Sequence, residues 1–246
     1  MTRSLRKRHI GQAGAMWASV LLMLFVLSGC ASGANVNARD PLEPLNRGVF
    51  KFNDAVDTAV LKPVATLYRD VTPVPVRQGV GNFFGNLKDA WSFVNNALQL
   101  KGQAAVESLV RFGVNTFIGL GGALDVATEM GIEKHTKDFG HTLGYWGVAP
   151  GPYLVLPLLG PSTLRDTVAL SVDLQGDIVA NITHVPTRNT VTAVRAVDTR
   201  ESLLDATTML EEMALDKYTF TRDAFLQLRR SAIFDGNPPD EDEVKP

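Results

Sequence analysis

The side chains in this sequence best suited to proton transfer, nucleophilic attack or metal binding are four histidines, one cysteine and many carboxylates. Their spacing argues against most such chemistry. His9 lies in a basic leader, and His135, His141 and His184 show no H-E-x-x-H or other metal-ligand spacing. No G-x-S-x-G elbow and no P-loop is present, and Gly119 and Gly121 begin a G-x-G-x-x-G pattern that Leu124 breaks at its last glycine. The sequence therefore predicts no catalytic residue, no metal and no cofactor, although the abundant Asp and Glu leave a carboxylate pair open without placing one. His141 reads as a hydrogen-bonded structural histidine, with a general base or a headgroup contact as the alternative. Without a nucleotide motif, any transport must run downhill or be driven by another protein.

Cys30 carries a different chemistry. Arg3, Arg6, Lys7 and Arg8 precede a mostly apolar run from Ala15 to Leu27, which rises only about 20 Å as a helix against a hydrocarbon core of roughly 30 Å. That run reads as an export signal rather than a membrane span. Leu27-Ser28-Gly29-Cys30 resembles the lipobox of bacterial lipoproteins, in which the Cys is acylated and becomes the new N-terminus. Ala31 and Ser32 follow, with no Asp beside the Cys to mimic the usual inner-membrane retention signal, so the resemblance implies the outer membrane. Residues 1–29 are expected to be the signal peptide and 30–39 the lipidated N-terminus and its polar tether. Without residues 1–29 the chain has 20 Lys and Arg against 26 Asp and Glu, a formal net charge of −6. This acidic balance argues against nucleic acid, and it leaves membrane attachment to lipid chains and apolar surface rather than to anionic headgroups.

The elements that would position a working surface are helices. Asp40 as N-cap, Pro41 at the first position and Glu43 at the third predict a helix start, followed by the stripe Leu42, Leu45, Val49, Phe52, Val56 and Val60. This helix is expected to end near Pro63 and to pack on the core or lie in the membrane interface. Val76, Val80, Phe83, Phe84, Leu87, Trp91, Val94 and Leu98 mark a second long helix whose wide apolar stripe reads as core. A third runs from Gln103 toward Thr116 and enters the apolar, glycine-rich stretch Phe112–Leu124. Arg111 and Asp125 flank that stretch and are expected to pair across it, with a lipid phosphate as the alternative partner of Arg111. Thr128–Asp138 reads as a solvated polar insert. Phe139–Pro161 then has no Lys, Arg, Asp or Glu, but five glycines and four prolines, too many for a regular helix or strand. Apolar yet irregular backbone needs partners for its amides, so this stretch is expected to be packed in protein or beside a cavity at a membrane. Ser162 or Thr163 can cap a helix carrying Leu164, Val168 and Val172. A looser connection follows at 176–189, then C-terminal helices, and an acidic tail at 235–246 that reads as disordered. Sustained strand alternation is missing, which disfavours a transmembrane barrel. The expectation is all-α, with one domain over 40–234.

These pieces together resemble the MlaA (VacJ) family of outer-membrane lipoproteins. The resemblance rests on Asp40-Pro41-Leu42-Glu43 with Asn46-Arg47 and Phe52-Asn53, on Arg111-Phe112, Asn115-Thr116 and Gly119–Asp125, and on the second glycine-rich stretch. There Phe139-Gly140, Thr142-Leu143-Gly144, Gly147, Gly151-Pro152-Tyr153, Leu156-Pro157 and Gly160-Pro161-Ser162 with Arg165-Asp166 carry it. His141 departs from the neutral polar residue usual there. The resemblance implies a ring-like bundle of amphipathic helices in the periplasmic leaflet around a central channel. It implies a non-enzymatic route that removes phospholipid misplaced in the outer leaflet and keeps the outer membrane asymmetric. The partners it implies are phospholipid, trimeric porins and a soluble periplasmic lipid carrier (MlaC-like). Candidates for channel wall or gate are Phe117, Gly119, Leu120, Gly121, Gly122 and Leu124 in the first segment. In the second they are Tyr145, Trp146, Gly147, Gly151, Pro152, Tyr153, Leu154 and Leu156. Two other classes stay open: a phospholipid-cleaving lipoprotein in which His141 or His184 assists a Ser or Asp nucleophile, and a structural lipoprotein that scaffolds porins. The lipobox reading predicts that Cys30→Ser releases most of the protein from the outer membrane on fractionation; normal anchoring of that variant would contradict it.

Overall fold

The computed structural model describes residues 39–239, so Cys30 with its tether and the tail beyond 239 lie outside the described residues. The chain is mostly helical. In order the elements are α1 (Glu43–Val56), a π-helical turn (Asp57–Leu61), α2 (Lys62–Val71), α3 (Val74–Leu98), α4 (Gly102–Phe117) and α5 (Val126–Glu129). They continue as α6 (Phe139–Tyr145), β1 (Tyr153–Leu156), β2 (Gly160–Thr163), α7 (Leu164–Gly176), α8 (Val185–Ser202), α9 (Leu204–Met213) and α10 (Lys217–Ile233). Among the described residues no helix is long and apolar enough to cross a membrane.

Partition of side chains runs opposite to that of a protein in water. Among the described residues nineteen polar or charged ones are buried against eleven apolar ones. On α3 the inward stripe is Asn86, Asp89, Ser92, Asn95 and Asn96, continued by Gln99, while Val76, Phe83 and Leu98 from the expected core stripe face outward and Phe84 alone of that stripe is buried. The stripe running from α1 into the π turn is likewise outside at Leu45, Phe52 and Val60, and α2 continues the apolar outer face with Val64, Leu67 and Val71. The expectation of core packing for α3 is thereby corrected in part, since Val80, Leu87, Trp91 and Val94 of that stripe are half-buried. Helical periodicity shows that two faces differ but does not say which one looks inward.

Three boundaries differ from expectation, each because a side chain has a better partner. Asp40 does not cap α1, which begins two residues after the expected first position. Its buried carboxylate instead accepts hydrogen bonds from Asn46 Nδ2 (2.8 Å), Arg222 Nη1 (3.3 Å) and the Tyr218 hydroxyl. The first helix also does not end near Pro63. The π turn widens the coil just before the proline, where its ring would clash with the preceding carbonyl and its missing N–H would leave a gap, and α2 carries on. The connection expected over 176–189 closes by His184, which caps α8, and Pro186 sits in that helix's first turn.

The second glycine-rich stretch is more regular than expected: it holds the short helix α6 and a two-stranded antiparallel hairpin with Tyr153 opposite Thr163 and Leu156 opposite Gly160. Two asparagines of α1 fasten the hairpin. Asn46 donates to Tyr153 O (2.9 Å) and accepts from Val155 N (2.9 Å), and Asn53 donates to Leu156 O (2.9 Å) and accepts from Leu158 N (2.8 Å). Seven residues of helix rise about 10.5 Å and three residues of strand span about 10 Å, so two amides two turns apart meet the strand edge in step. They serve as a third strand. Beneath, Tyr153 and Val155 pack with Tyr218, Phe50 and Phe225 in the apolar core cluster. Asn53→Ala is expected to speed amide exchange about tenfold at the hairpin tip, residues 156–160, while leaving the global unfolding midpoint in place. Asn46→Ala, which also strips a bond from buried Asp40, should lower the global midpoint; equal effects of the two on both readouts would contradict this division.

Candidate functional site: two glycine-rich segments and their polar supports

The first segment, residues 118–124, leaves α4 as a chain of tight turns. Gly119 N bonds back to Val114 O (3.2 Å), Gly122 N to Asn115 O (2.8 Å) and Leu124 N to Gly119 O (2.9 Å). A Cβ at Gly119 would collide with the Leu124 and Asn115 carbonyls, so glycine is required there by space. Gly122 combines a φ of +95° with contact against the Asn86 side chain. The turns push Leu120 outward, in the left-handed region at φ 55° and 76% exposed, next to Phe117 at 88%. From α3, Asn86 Nδ2 donates to Thr116 Oγ1 (2.8 Å) and Asn82 Nδ2 to Ala123 O (3.1 Å).

The ends of that segment are tied by Arg111, as the pairing expectation has it. Its side chain is fully buried and its donors are taken: Nε by Asp89 Oδ2 (3.3 Å), Nη1 by Thr128 Oγ1 (3.1 Å) and Ile132 O (2.6 Å), and Nη2 by both Asp125 oxygens (2.8 and 3.0 Å). No donor is left for a lipid phosphate, which corrects the alternative reading of Arg111. Burial pushes the Asp125 carboxyl upward, but hydrogen bonds from Thr128 and Asn115 and the Arg111 charge outweigh it and hold the group down at about 2. Asp89, deeper and with fewer donors, is held above its ordinary value, burial being the largest cause.

The second segment has a matching support. Asp138 caps α6, accepting from His141 N (2.8 Å) while its own N–H donates to His141 Nδ1 (3.2 Å). Arg229 of α10 bonds both Asp138 oxygens (2.5 and 2.7 Å) and Asp166 Oδ2 (2.9 Å). Burial pushes the Asp138 carboxyl up, yet the bonds from His141 and Arg229 leave it far below the ordinary carboxylate range. Gly140 lies against Arg229 and Asp166 with no room for a side chain. The polar insert is therefore not a solvated loop at its end: Asp138 belongs to this knot, and Lys137 is buried with its ammonium on Asp235 (2.6 Å). His141 is the hydrogen-bonded structural residue expected, and His184 caps α8 through Thr187.

The candidate wall residues divide accordingly. Phe117, Leu120, Leu124, Tyr145 and Trp146 present exposed apolar surface, with Leu158 and Leu159 of the hairpin tip beside them in character. Trp146 also donates from Nε1 to Leu98 O (3.1 Å). Gly147 and Gly151 provide left-handed turns at φ 86° and 66°. Pro152, Leu154 and Leu156 are half-buried in or beside the hairpin. Tyr153 is no wall residue: it is fully buried against Tyr218 and Phe225. Beside Leu124 a cavity of about 540 Å³ opens between α3 and α8, lined by Pro75, Val76, Gly79, Val80, Phe83, Phe84, Ala123, Thr190, Val191 and Val194. Its lining is almost wholly apolar, and its size falls within the roughly 300–1,000 Å³ of sites that enclose small ligands. A smaller one of about 360 Å³ lies between Pro157 and α1 at Leu45, Gly48 and Phe52. Each segment thus borders its own cavity. Sequence reasoning missed the asparagine supports on α1 and α3, whose signal was a polar residue recurring at helical spacing beside an apolar stripe.

A family model described as "MlaA lipoprotein" matches residues 38–232. The "Intermembrane phospholipid transport system lipoprotein MlaA" of Escherichia coli (strain K12) is 36% identical, over 90% of this chain and 87% of its own length. The protein of the same description from Haemophilus influenzae is 31% identical over 93% and 94%. An uncharacterized protein of Rickettsia bellii is 34% identical over 79% of this chain and 76% of its own. A solved structure described as "Structural basis for maintenance of bacterial outer membrane lipid asymmetry" superimposes with a TM-score of 0.69 at 35% identity, covering 80% of this chain and 99% of that one.

Because Asp125 is depressed in the folded state, its ionised pairing stabilises the fold above the ordinary carboxylate range and is lost as pH falls toward about 2. Asp125→Asn should therefore melt well below the parent at pH 7, and the gap in unfolding midpoint should narrow as pH drops from 5 to 2. A gap that stays constant across that window would refute the role given to the ionised carboxylate.

Proposed function

This chain belongs to the MlaA lipoprotein family, and we propose that it moves misplaced phospholipid out of the outer leaflet of the outer membrane and hands it, intact, to a soluble periplasmic carrier. In this reading it is held on the periplasmic side by lipid on Cys30, sits against a trimeric porin, forms a ring-like bundle around its passage, and maintains lipid asymmetry without enzymatic chemistry.

The observation that supports this reading most is the inverted partition of side chains. Leu45, Phe52, Val64, Leu67 and Val71 form an apolar exterior, while Asn46, Asn86, Asn95, Asn96 and Arg111 are buried and donate hydrogen bonds inside. Such a body is stable against hydrocarbon, where a polar exterior would go unsatisfied. Helices too short or too polar to span suit a protein lying within one leaflet. Leu120 and Leu124 with the cavity beside them would meet the acyl chains. A carrier is needed because at about 0.8 kcal/mol per CH₂ a two-chain lipid does not escape into water unaided.

The decisive assay places purified, acylated protein with a porin in asymmetric vesicles carrying labelled phospholipid in the leaflet opposite the anchor. Intact label is expected to reach an added lipid-carrier protein. Leu120→Asp is expected to cut transfer at least fivefold in a protein that still folds, because Asp tolerates the left-handed backbone at this exposed position. Wild-type transfer by that variant would remove Leu120 from the wall. Labelled lysolipid would establish a hydrolase instead, and no transfer by the folded parent would leave the scaffold reading.

A further inference from the structure

We propose that Glu107, Glu133 and His135 form a binding site for a divalent transition metal, with Zn²⁺ the ion it suits best. One carboxylate oxygen from each glutamate and a ring nitrogen of His135 lie within 4.8 Å of one another. The spacing that hid the site from the sequence is large: His135 and Glu107 are 28 positions apart, one in the stretch before α6 and the other on α4. Folding sets His135 Nε2 2.5 Å from Glu107 Oε2.

The Glu107 side chain and the His135 backbone are each held from outside the cluster. Gln103 Nε2 donates to the other oxygen of Glu107 (2.8 Å), which turns Oε2 toward the imidazole. The carbonyl of His135 accepts from Asn96 Nδ2 (3.1 Å), and that same fully buried amide reaches Ser108 Oγ (3.2 Å), the residue next to Glu107. One side chain on α3 therefore ties the backbone of His135 to the residue beside Glu107 on α4. Such outer partners are what hold metal ligands in orientation. Glu133 is exposed and free to swing, and it supplies the third donor.

The donor set selects the ion. One imidazole nitrogen with two carboxylate oxygens is a set Zn²⁺ accepts, at about 2.0–2.2 Å to each, whereas Mg²⁺ and Ca²⁺ favour oxygen alone. A tetrahedron with those bond lengths separates its ligands by about 3.4 Å, so the His135–Glu107 pair opens slightly and Glu133 closes in, leaving the fourth position to water. Bound there, the ion ties α4, which feeds the first glycine-rich segment, to the insert that leads into the second.

The test uses full-length acylated protein in detergent, stripped with a chelator and titrated with ZnCl₂ by calorimetry and by thermal unfolding. One equivalent is expected to bind, and the unfolding midpoint should rise by about 5–10 °C at a hundredfold excess over Kd, with no rise from MgCl₂ at the same concentration. Glu133→Gln alters an exposed side chain, so it should unfold like the parent without metal and bind Zn²⁺ at least about tenfold more weakly. His135→Ala should lose the response and His184→Ala should keep it. No Zn²⁺-dependent rise in the parent, or an undiminished response in Glu133→Gln, would overturn the site.

Discussion

Polar groups cut off from water must satisfy one another, and in this protein that requirement falls on side chains as much as on backbone. Asn46, Asn86, Asn96 and Arg111 each bridge two elements, and each is almost completely buried. Remove such a bridge and the orphaned partner has neither water nor a substitute nearby. In a water-soluble domain, burial of large apolar side chains would bear most of the load. Here Leu45, Phe52, Leu67 and Phe117 stay outside, and the apolar cluster under the hairpin is small.

That same polar frame makes irregular backbone possible at an apolar surface. The glycine turns at 118–124 and the hairpin at 153–163 have amides that no regular helix satisfies. Asn82 supplies a partner to Ala123 O on one side while Asn86 braces Thr116 at the end of α4, and Asn46 and Asn53 supply partners on the other. The segments consequently present Leu120, Leu158 and Leu159 outward while their backbones stay held from behind.

The charged residues near the segments take part in this positioning. Arg111 with Asp125 and Arg229 with Asp138 knot the entrances of the two segments, and His141 completes a helix cap. Buried pairs of this type are strongly destabilising to break, though their net contribution against an apolar alternative is small, so their weight lies in specifying one arrangement.

Much of the architecture was legible in the chain itself. Amphipathic spacing located α3 and α4 to within two residues, Ser162 and Thr163 announced the cap of α7, which Thr163 forms, and the crowding of glycine and proline marked the two unusual segments, because these signals act over a few neighbouring residues. The pairing of Arg111 with Asp125 was legible for the same reason, since the two bracket one short stretch. What the chain could not declare was which face of a helix points inward, because periodicity carries no sign and the sign depends on the surrounding solvent. Nor could it show that Asp40 would leave a helix cap for Asn46, Tyr218 and Arg222, that Tyr153 would become core, or that Glu107 would meet His135. Those choices compare partners far apart in sequence, and only the closed tertiary structure brings the competing partners within bonding distance.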